Sequence, residues 1–310
     1  MTEQKKYTTE ELRHYYHLPL PILLKESAKY MGESVELCSL INAKNGRCSQ
    51  NCKYCAQSAF YKTQIQTYPL VSVKQVQQAA QDAKKNGAIR FAIVTSGKTP
   101  DEDKDFQKEL EMIQAINAIE GLSSCASIGV LNEEQVKKLA QIGLKRVHHN
   151  INTCKSYYPN VCTTHTWEER FNTCQLVKKY GMELCCGVIL GMGETEEHRI
   201  EMAQNLAEIG PDSIPINILM PIQNTPFENY GDKINEEHIL RTMAVFKIAN
   251  PKAVLRFCGG RTRISEKNQE LALKTCVEGI LTGNYLTKLG KTPQEDKAML
   301  YRLGKELLTR

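Results

Sequence analysis

The chain has 310 residues, 41% of them apolar, and no low-complexity tract, enough to bury a substantial core in one large domain. Its 40 basic and 35 acidic residues leave a net charge of +5 spread along the chain, without a basic block or interleaved aromatics, which disfavours nucleic-acid binding. The charged opening segment lacks an apolar core, and no stretch approaches 18 uninterrupted apolar residues, so neither secretion nor membrane insertion is expected and the cytoplasm is the expected compartment. Twelve cysteines in such a reducing setting point to metal ligation or catalysis ahead of disulfides, several of them serving only as small buried side chains.

The first 35 or so residues read as two helical pieces. Thr8 and Thr9 ahead of Glu10 and Glu11 give a capping signal for the first. Pro19 and Pro21 interrupt the pattern, and Leu20, Leu23 and Leu24 open the second piece, a lid or collar. From there short apolar runs alternate with amphipathic charged stretches. Strands are expected at 35–41, 90–95, 122–128, 146–151, 183–190, 213–220 and 254–258, with a weak one near 277–281. Helices are expected at 73–85, 106–119, 133–141, 167–180, 199–208, 236–248 and 268–274. Eight strands alternating with helices argue for parallel pairing with helical crossovers, hence an α/β fold of the (β/α)8 TIM-type barrel class, with a doubly wound open sheet as the alternative. No linker or internal repeat divides the chain, so a single domain spanning 1–310 is expected, with a helical N-terminal extension (1–35), the barrel (36–283) and a C-terminal extension (284–310).

After the first strand and a glycine comes Cys48-Ser-Gln-Asn-Cys52-Lys-Tyr-Cys55. Three thiolates are one short of the four that a closed tetrahedral zinc or iron-sulfur site needs, so a distant ligand completes the set or one metal keeps an open position. A zinc knuckle would repeat its cysteine pair downstream, and no second pair appears. Further cysteines fall within strands, at Cys125, at Cys185 with Cys186, and at Cys258. Neighbouring strand residues face opposite sides, so only one of Cys185 and Cys186 points into the barrel. On the fourth strand the same alternation places His148, Asn150 and Asn152 on one face and Ile151 on the other. Asn217 is the one strong hydrogen-bonding side chain among apolar neighbours on 213–220. Such polar strand faces suit a ligand held inside a barrel; a satisfied buried polar ladder is the alternative.

The CxxxCxxC spacing, with Tyr54 just before the third cysteine, resembles the signature of the radical S-adenosylmethionine (SAM) superfamily. Nearly end to end, the chain resembles its biotin synthase family, through Cys48–Cys55 with Ala56-Gln57-Ser58, His149-Asn150-Ile151-Asn152-Thr153, and Gly187 through Thr195. Pro215-Ile216-Asn217, Asn224-Thr225-Pro226 and Arg256-Phe257-Cys258-Gly259-Gly260-Arg261 complete the match in the right order. The resemblance implies a sulfurtransferase that inserts sulfur into dethiobiotin to give biotin. Cys48, Cys52 and Cys55 would hold a 4Fe-4S cluster whose fourth iron is chelated by SAM. No side-chain base can take a proton from an unactivated methyl or methylene, which is why such a site needs a radical generator.

The resemblance also implies an auxiliary cluster deep in the barrel as sulfur source. Its usual positions fall on Cys125, Cys185, Arg261 and, on the second strand, Ala92, which cannot ligate iron. The added thiol of Cys258, with Cys186 beside Cys185, suggests an altered cluster of four-iron type with an extra sulfide, held by Cys125, Cys185 and Cys258 with Arg261 nearby, in preference to 2Fe-2S. Tyr54, Arg170, Asn150, Asn152 and Glu194 are implied as SAM contacts, and Asn150, Asn217 and His148 as substrate contacts. A flavodoxin- or ferredoxin-type electron donor and a homodimer belong to the same implication. A hydrogenase-maturation or methylornithine-synthase type of radical SAM barrel is the enzymatic alternative, and an iron-sulfur carrier the non-enzymatic one. A carrier would not require an interior lined with Asn150, Asn152, Asn217 and Arg261.

Overall fold

The computed structural model describes residues 6–100, 104–283 and 290–309. Two helices precede the sheet, α1 (Thr9–His17) and α2 (Leu20–Ala28). Thr8 caps α1 through a reciprocal box: the Glu11 backbone N–H donates to Thr8 Oγ1 at 3.1 Å, and the Thr8 N–H donates to the Glu11 carboxylate at 2.9 Å. The sheet then runs β1 (Ser34–Lys44), β2 (Arg90–Thr95), β3 (Ser123–Ser127), β4 (Arg146–His148), β5 (Glu183–Cys185), β6 (Val188–Leu190), β7 (Ser213–Ile218), β8 (Val254–Phe257) and β9 (Gly279–Leu281). All pair in parallel, and β9 returns to β1, closing a barrel; β5 and β6 together form one broken stave, leaving eight. Between the staves lie α3 (Val73–Lys85), α4 (Asp105–Asn117), α5 (Glu133–Gln141), α6 (Trp167–Lys179), α7 (Glu196–Ile209), α8 (Glu236–Ala249) and α9 (Glu266–Thr275).

After β9, α10 (Pro293–Arg302) is followed by β10 (Glu306–Leu307), which adds in parallel to Ser34 and Val35 of β1. Residues 284–289, at the start of the expected C-terminal extension, lie outside the described residues, as do 1–5 at the opening of the N-terminal one. Among the described residues no helix is long and apolar enough to cross a membrane.

The break in the fifth stave falls at Cys186 and Gly187. A Cβ on Gly187 would lie 2.0 Å from the Pro215 carbonyl oxygen, so only glycine permits this close approach of β7. The expected fourth strand is also shorter than 146–151. After His148 the chain leaves the ladder, and Asn152 adopts a left-handed conformation (φ 66°), bridging to Val188 through its backbone.

Candidate active site

A cavity of about 280 Å³ opens inside the barrel. Its lining includes Cys125 from β3, His148 from β4 and Cys185 from β5, with Asn150 just past β4. On the opposite side it is lined by Asn217 from β7 and by Arg256 and Cys258 at the end of β8. Tyr54 and Cys55 of the cysteine loop line it as well. A barrel brings these together because inward positions recur every second residue along each stave. Cys186 lies on the other face, its sulfur 3.8 Å from Cys174 of α6, so the alternation resolves the Cys185–Cys186 pair as expected.

Two groups sequence reasoning missed complete the wall. Cys38 of β1 lines the same cavity, and its sulfur accepts a hydrogen bond from Arg256 Nη1. Beneath it, Glu36 takes Arg256 Nη2 at 2.5 Å and lies 3.4 Å from both Arg90 and Arg146; these two guanidiniums share Glu183 at 2.9 and 2.6 Å. Burial alone would raise the Glu36 carboxyl, but Arg256, Arg146 and Arg90 overcome it and hold the group down at about 2. The signal was present in sequence as charged residues inside strands at 36, 90, 146 and 256, a placement only a paired network tolerates.

The thiols carry the opposite perturbation. Burial pushes Cys125 up to about 12 and raises Cys185 and Cys258, while Arg146 and Arg90, or Arg256, pull back. Metal coordination would deprotonate them outright, and the guanidiniums below supply the balancing charge. The donor set therefore fits a thiolate-ligated cluster.

Arg261 is not brought into this cavity. It follows Gly260 (φ 77°) on a short 3-10 turn (Arg261–Arg263), and its Nη2 donates to Asp296 of α10 at 2.7 Å, with both side chains fully buried. The guanidinium on the β8 wall belongs to Arg256, two positions before Cys258 on the same strand face.

The cysteine loop is folded by its own backbone. Cys48 N–H donates to the Gln57 carbonyl at 2.9 Å, Ala59 N–H to that of Cys48 at 2.8 Å, and Cys55 N–H to that of Cys52 at 3.0 Å. Burial pushes the Cys55 thiol up to about 11. The loop carries the three thiols within eight residues and sets Cys55 on the cavity lining, and three thiolates from one loop fit three irons of a cubane.

The remaining expected SAM residues stand behind the wall. Arg170 donates through Nη1 to the Asn150 carbonyl at 2.9 Å and through Nε to Tyr158 Oη at 2.7 Å. Glu194 folds onto its own glycine loop, accepting the Gly191 and Met192 N–H groups at 2.8 and 2.7 Å. Asn152 does not share the inward face of His148 and Asn150, because the left-handed turn ends the alternation. Arg170, Asn152 and Glu194 are absent from the cavity lining.

Residues 44–206 match the Radical SAM superfamily, and residues 215–306 match the Biotin and Thiamin Synthesis associated domain. The chain is 45% identical over 279 residues to a biotin synthase of Acetivibrio thermocellus, covering 90% of this chain and 86% of that protein. It is 41% identical over 278 residues to one of Pelotomaculum thermopropionicum, covering 89% and 86%. Among solved structures, a methylornithine synthase superposes with a TM-score of 0.81 at 20% identity, covering 98% of this chain and 95% of that one. The FeFe-hydrogenase maturase HydG from Carboxydothermus hydrogenoformans superposes with a TM-score of 0.81 at 16% identity, covering 96% and 75%. At those identities the likeness is one of fold alone. The identity to the synthases, sustained over most of both chains, makes this chain a member of the biotin synthase family within the radical SAM superfamily.

Proposed function

We propose that this barrel converts dethiobiotin to biotin, with a 4Fe-4S cluster on Cys48, Cys52 and Cys55 and an auxiliary cluster of four-iron type, bearing an extra sulfide, on Cys125, Cys185 and Cys258. The observation that carries the reading is the set of thiols on separate staves of one cavity whose mouth holds Tyr54 and Cys55. When bound, the first cluster with SAM supplies a carbon-centred radical and the auxiliary one the sulfur atom.

The chain's own residues position and screen. His148 is held neutral by burial and by Arg146, Arg256 and Arg90, so it offers a hydrogen bond without a charge, suited to a neutral cyclic urea. Asn217 spends its Oδ1 on the Gly259 N–H at 3.0 Å and one amide proton on the Val188 carbonyl at 3.1 Å, which leaves one proton for a ligand. Asn150 accepts the Gly187 N–H at 3.0 Å and keeps its amide group free to donate. Tyr54, on the cavity lining, would stand beside the adenine ring of SAM. Arg170, Asn152 and Glu194 fix the loops on which SAM would rest. Cys38 brings a fourth thiol to the deep layer, and Arg256 is the guanidinium there in place of Arg261. A flavodoxin- or ferredoxin-type donor and a homodimer belong to the same reading.

The test is anaerobic reconstitution followed by reduction with SAM and dethiobiotin, with iron and sulfide counted beforehand and Mössbauer spectra recorded. Biotin with 5'-deoxyadenosine as coproduct supports the reading. Deoxyadenosine formed while dethiobiotin remains untouched would assign the barrel to a related reaction.

A further inference from the structure

Cys52 has a second set of partners that the radical cluster does not use. Its sulfur lies 3.6 Å from Cys162 Sγ and 3.3 Å from His165 Nε2, and Cys162 Sγ lies 3.4 Å from the same nitrogen. All three side chains are buried. A tetrahedral ion with metal–sulfur bonds of about 2.3 Å and a metal–nitrogen bond of about 2.0 Å sets its donors about 3.8 Å (S to S) and about 3.5 Å (S to N) apart. The observed triangle is short of that by a tenth or two of an ångström on each edge.

The surroundings are those of a held ligand set. His165 Nδ1 is engaged by Tyr158 Oη at 2.8 Å, leaving Nε2 as the ligating atom, and Tyr158 is itself fixed by Arg170 Nε. The segment bearing Cys162 and His165 is clamped to the cysteine loop. Asn51 N–H donates to Thr164 Oγ1 at 3.0 Å, Thr163 N–H donates to Asn51 Oδ1 at 3.0 Å, and Lys53 N–H donates to the Val161 carbonyl at 3.0 Å.

We propose that, in the cluster-free chain, Cys52, Cys162 and His165 bind a thiophilic divalent cation such as Zn²⁺ or Fe²⁺ at a site mutually exclusive with the radical cluster. The shared ligand enforces the exclusion, since one Cys52 thiolate cannot serve both. Binding releases the two thiol protons to solvent. The resulting dication with two thiolates is neutral, so the adjacent Arg170 guanidinium meets no net charge. A fourth position stays open for water. Exclusivity rests on the cluster assignment to Cys48, Cys52 and Cys55; the site itself does not.

The probe is Co²⁺, which reports tetrahedral thiolate coordination by its absorption, titrated anaerobically into the full, reduced, cluster-free chain and displaced with Zn²⁺. In a Cys48→Ser, Cys55→Ser background, where the loop cannot compete for Cys52, the chain is expected to bind one more Co²⁺ than the same chain carrying Cys162→Ser, with sulfur-to-cobalt charge-transfer bands that the latter lacks, and His165→Gln should lose the same increment. Tyr158→Phe should weaken that Co²⁺ about tenfold, the cost of a lost second-layer hydrogen bond. The double substitution separates this site from adventitious binding by the three-cysteine loop. Once four irons and four sulfides are reconstituted at the intact loop of the parent, the increment over Cys162→Ser should vanish. Identical titrations in the double background with and without both Cys162→Ser and His165→Gln, or persistence of the increment in the fully loaded protein, would overturn the proposal. Failure of any cubane to form at the loop would instead count against the cluster assignment.

Discussion

Arg256 reaches from β8 across the barrel floor to Glu36 of β1, closing an ion pair of 2.5 Å immediately beneath the cavity thiols. The same carboxylate faces Arg90 and Arg146, and among the described residues Glu183 is the one other carboxylate paired with these three cations, at the open end of the network. Removing the central charge strands buried guanidiniums, which costs far more than an exposed pair is worth.

Glu36→Gln should therefore lose about 3–5 kcal/mol of unfolding free energy near neutral pH, read by denaturant titration of the cluster-free chain. The Glu36 pKa falls on folding from 4.5 to about 2, so its contribution is complete above about 4.5 and is lost as pH drops toward 2. Parent and variant curves should run parallel from pH 5 to 8 and converge below 4. A variant within 1 kcal/mol of the parent at pH 7 would mean the three arginines find other compensation.

Replacing Cys48, Cys52 or Cys55 with Ala should abolish reductive cleavage of SAM while far-ultraviolet circular dichroism stays unchanged. Cys52 is one small member of an extensive core cluster and Cys55 packs against its edge, so truncation to Ala removes little of it, and the loop is held by backbone hydrogen bonds. SAM cleavage at the parental rate in any one of the three would remove the basis for the cluster assignment.

Cys258→Ala should retain SAM cleavage and lose both auxiliary iron and biotin formation. Iron and sulfide counting with Mössbauer spectroscopy separates the two clusters. Full auxiliary iron in that variant would reduce Cys258 to a packed thiol and shift attention to Cys38, the other thiol on that side of the cavity. A two-iron auxiliary cluster in the parent would contradict the four-iron reading directly.

How much of this was legible in the sequence depends on which property carried the information. The staves and helices were, because apolar periodicity and capping residues act locally: Thr8 with Glu11, and Thr166 with Glu169, start their helices through side chains within one turn. That only one of Cys185 and Cys186 faces inward was legible from strand alternation; which of the two was not. Cys38 was not singled out, since a cysteine in a strand acquires meaning only when barrel closure sets β8, β9 and β1 side by side, and Arg256 was overlooked although its charge inside a strand was a readable sign of a buried partner. Alternation failed at Asn152, where a left-handed residue ends the strand, and the arginine transferred from family resemblance landed on Arg261, five residues beyond the one on the cavity wall. Glu194 was expected at the ligand, yet its carboxylate is consumed by two N–H groups of its own loop, a pairing that no residue spacing announces.

Glu109 of α4 supplies a pH test remote from the metal ligands. Its Oε1 accepts from Thr95 Oγ1 at 2.9 Å, its Oε2 has no hydrogen-bond partner among the described residues, and burial, with Asp105 adding and Lys44 subtracting, pushes the carboxyl up to about 8. An acid whose pKa rises from 4.5 to about 8 on folding is protonated in the native state. It costs nothing below 4.5 and progressively more as pH climbs to 8. Glu109→Gln should thus match the parent at pH 4.5 and exceed it by a few kcal/mol, on the order of what such a shift implies, at pH 8.5. Melting curves across that range check it; a constant offset would show that the carboxyl ionises normally.

The short pairing of Glu306 and Leu307 with Ser34 and Val35 has a practical side for anyone preparing this protein. The strand that receives them places Glu36 and Cys38 one and three residues farther on, so the tail is spliced to the foundation of the reactive chamber. A purification tag fused directly behind residue 307, or a truncation that removes 306–307, would tug on or release that foundation. An affinity handle placed ahead of α1 leaves it untouched.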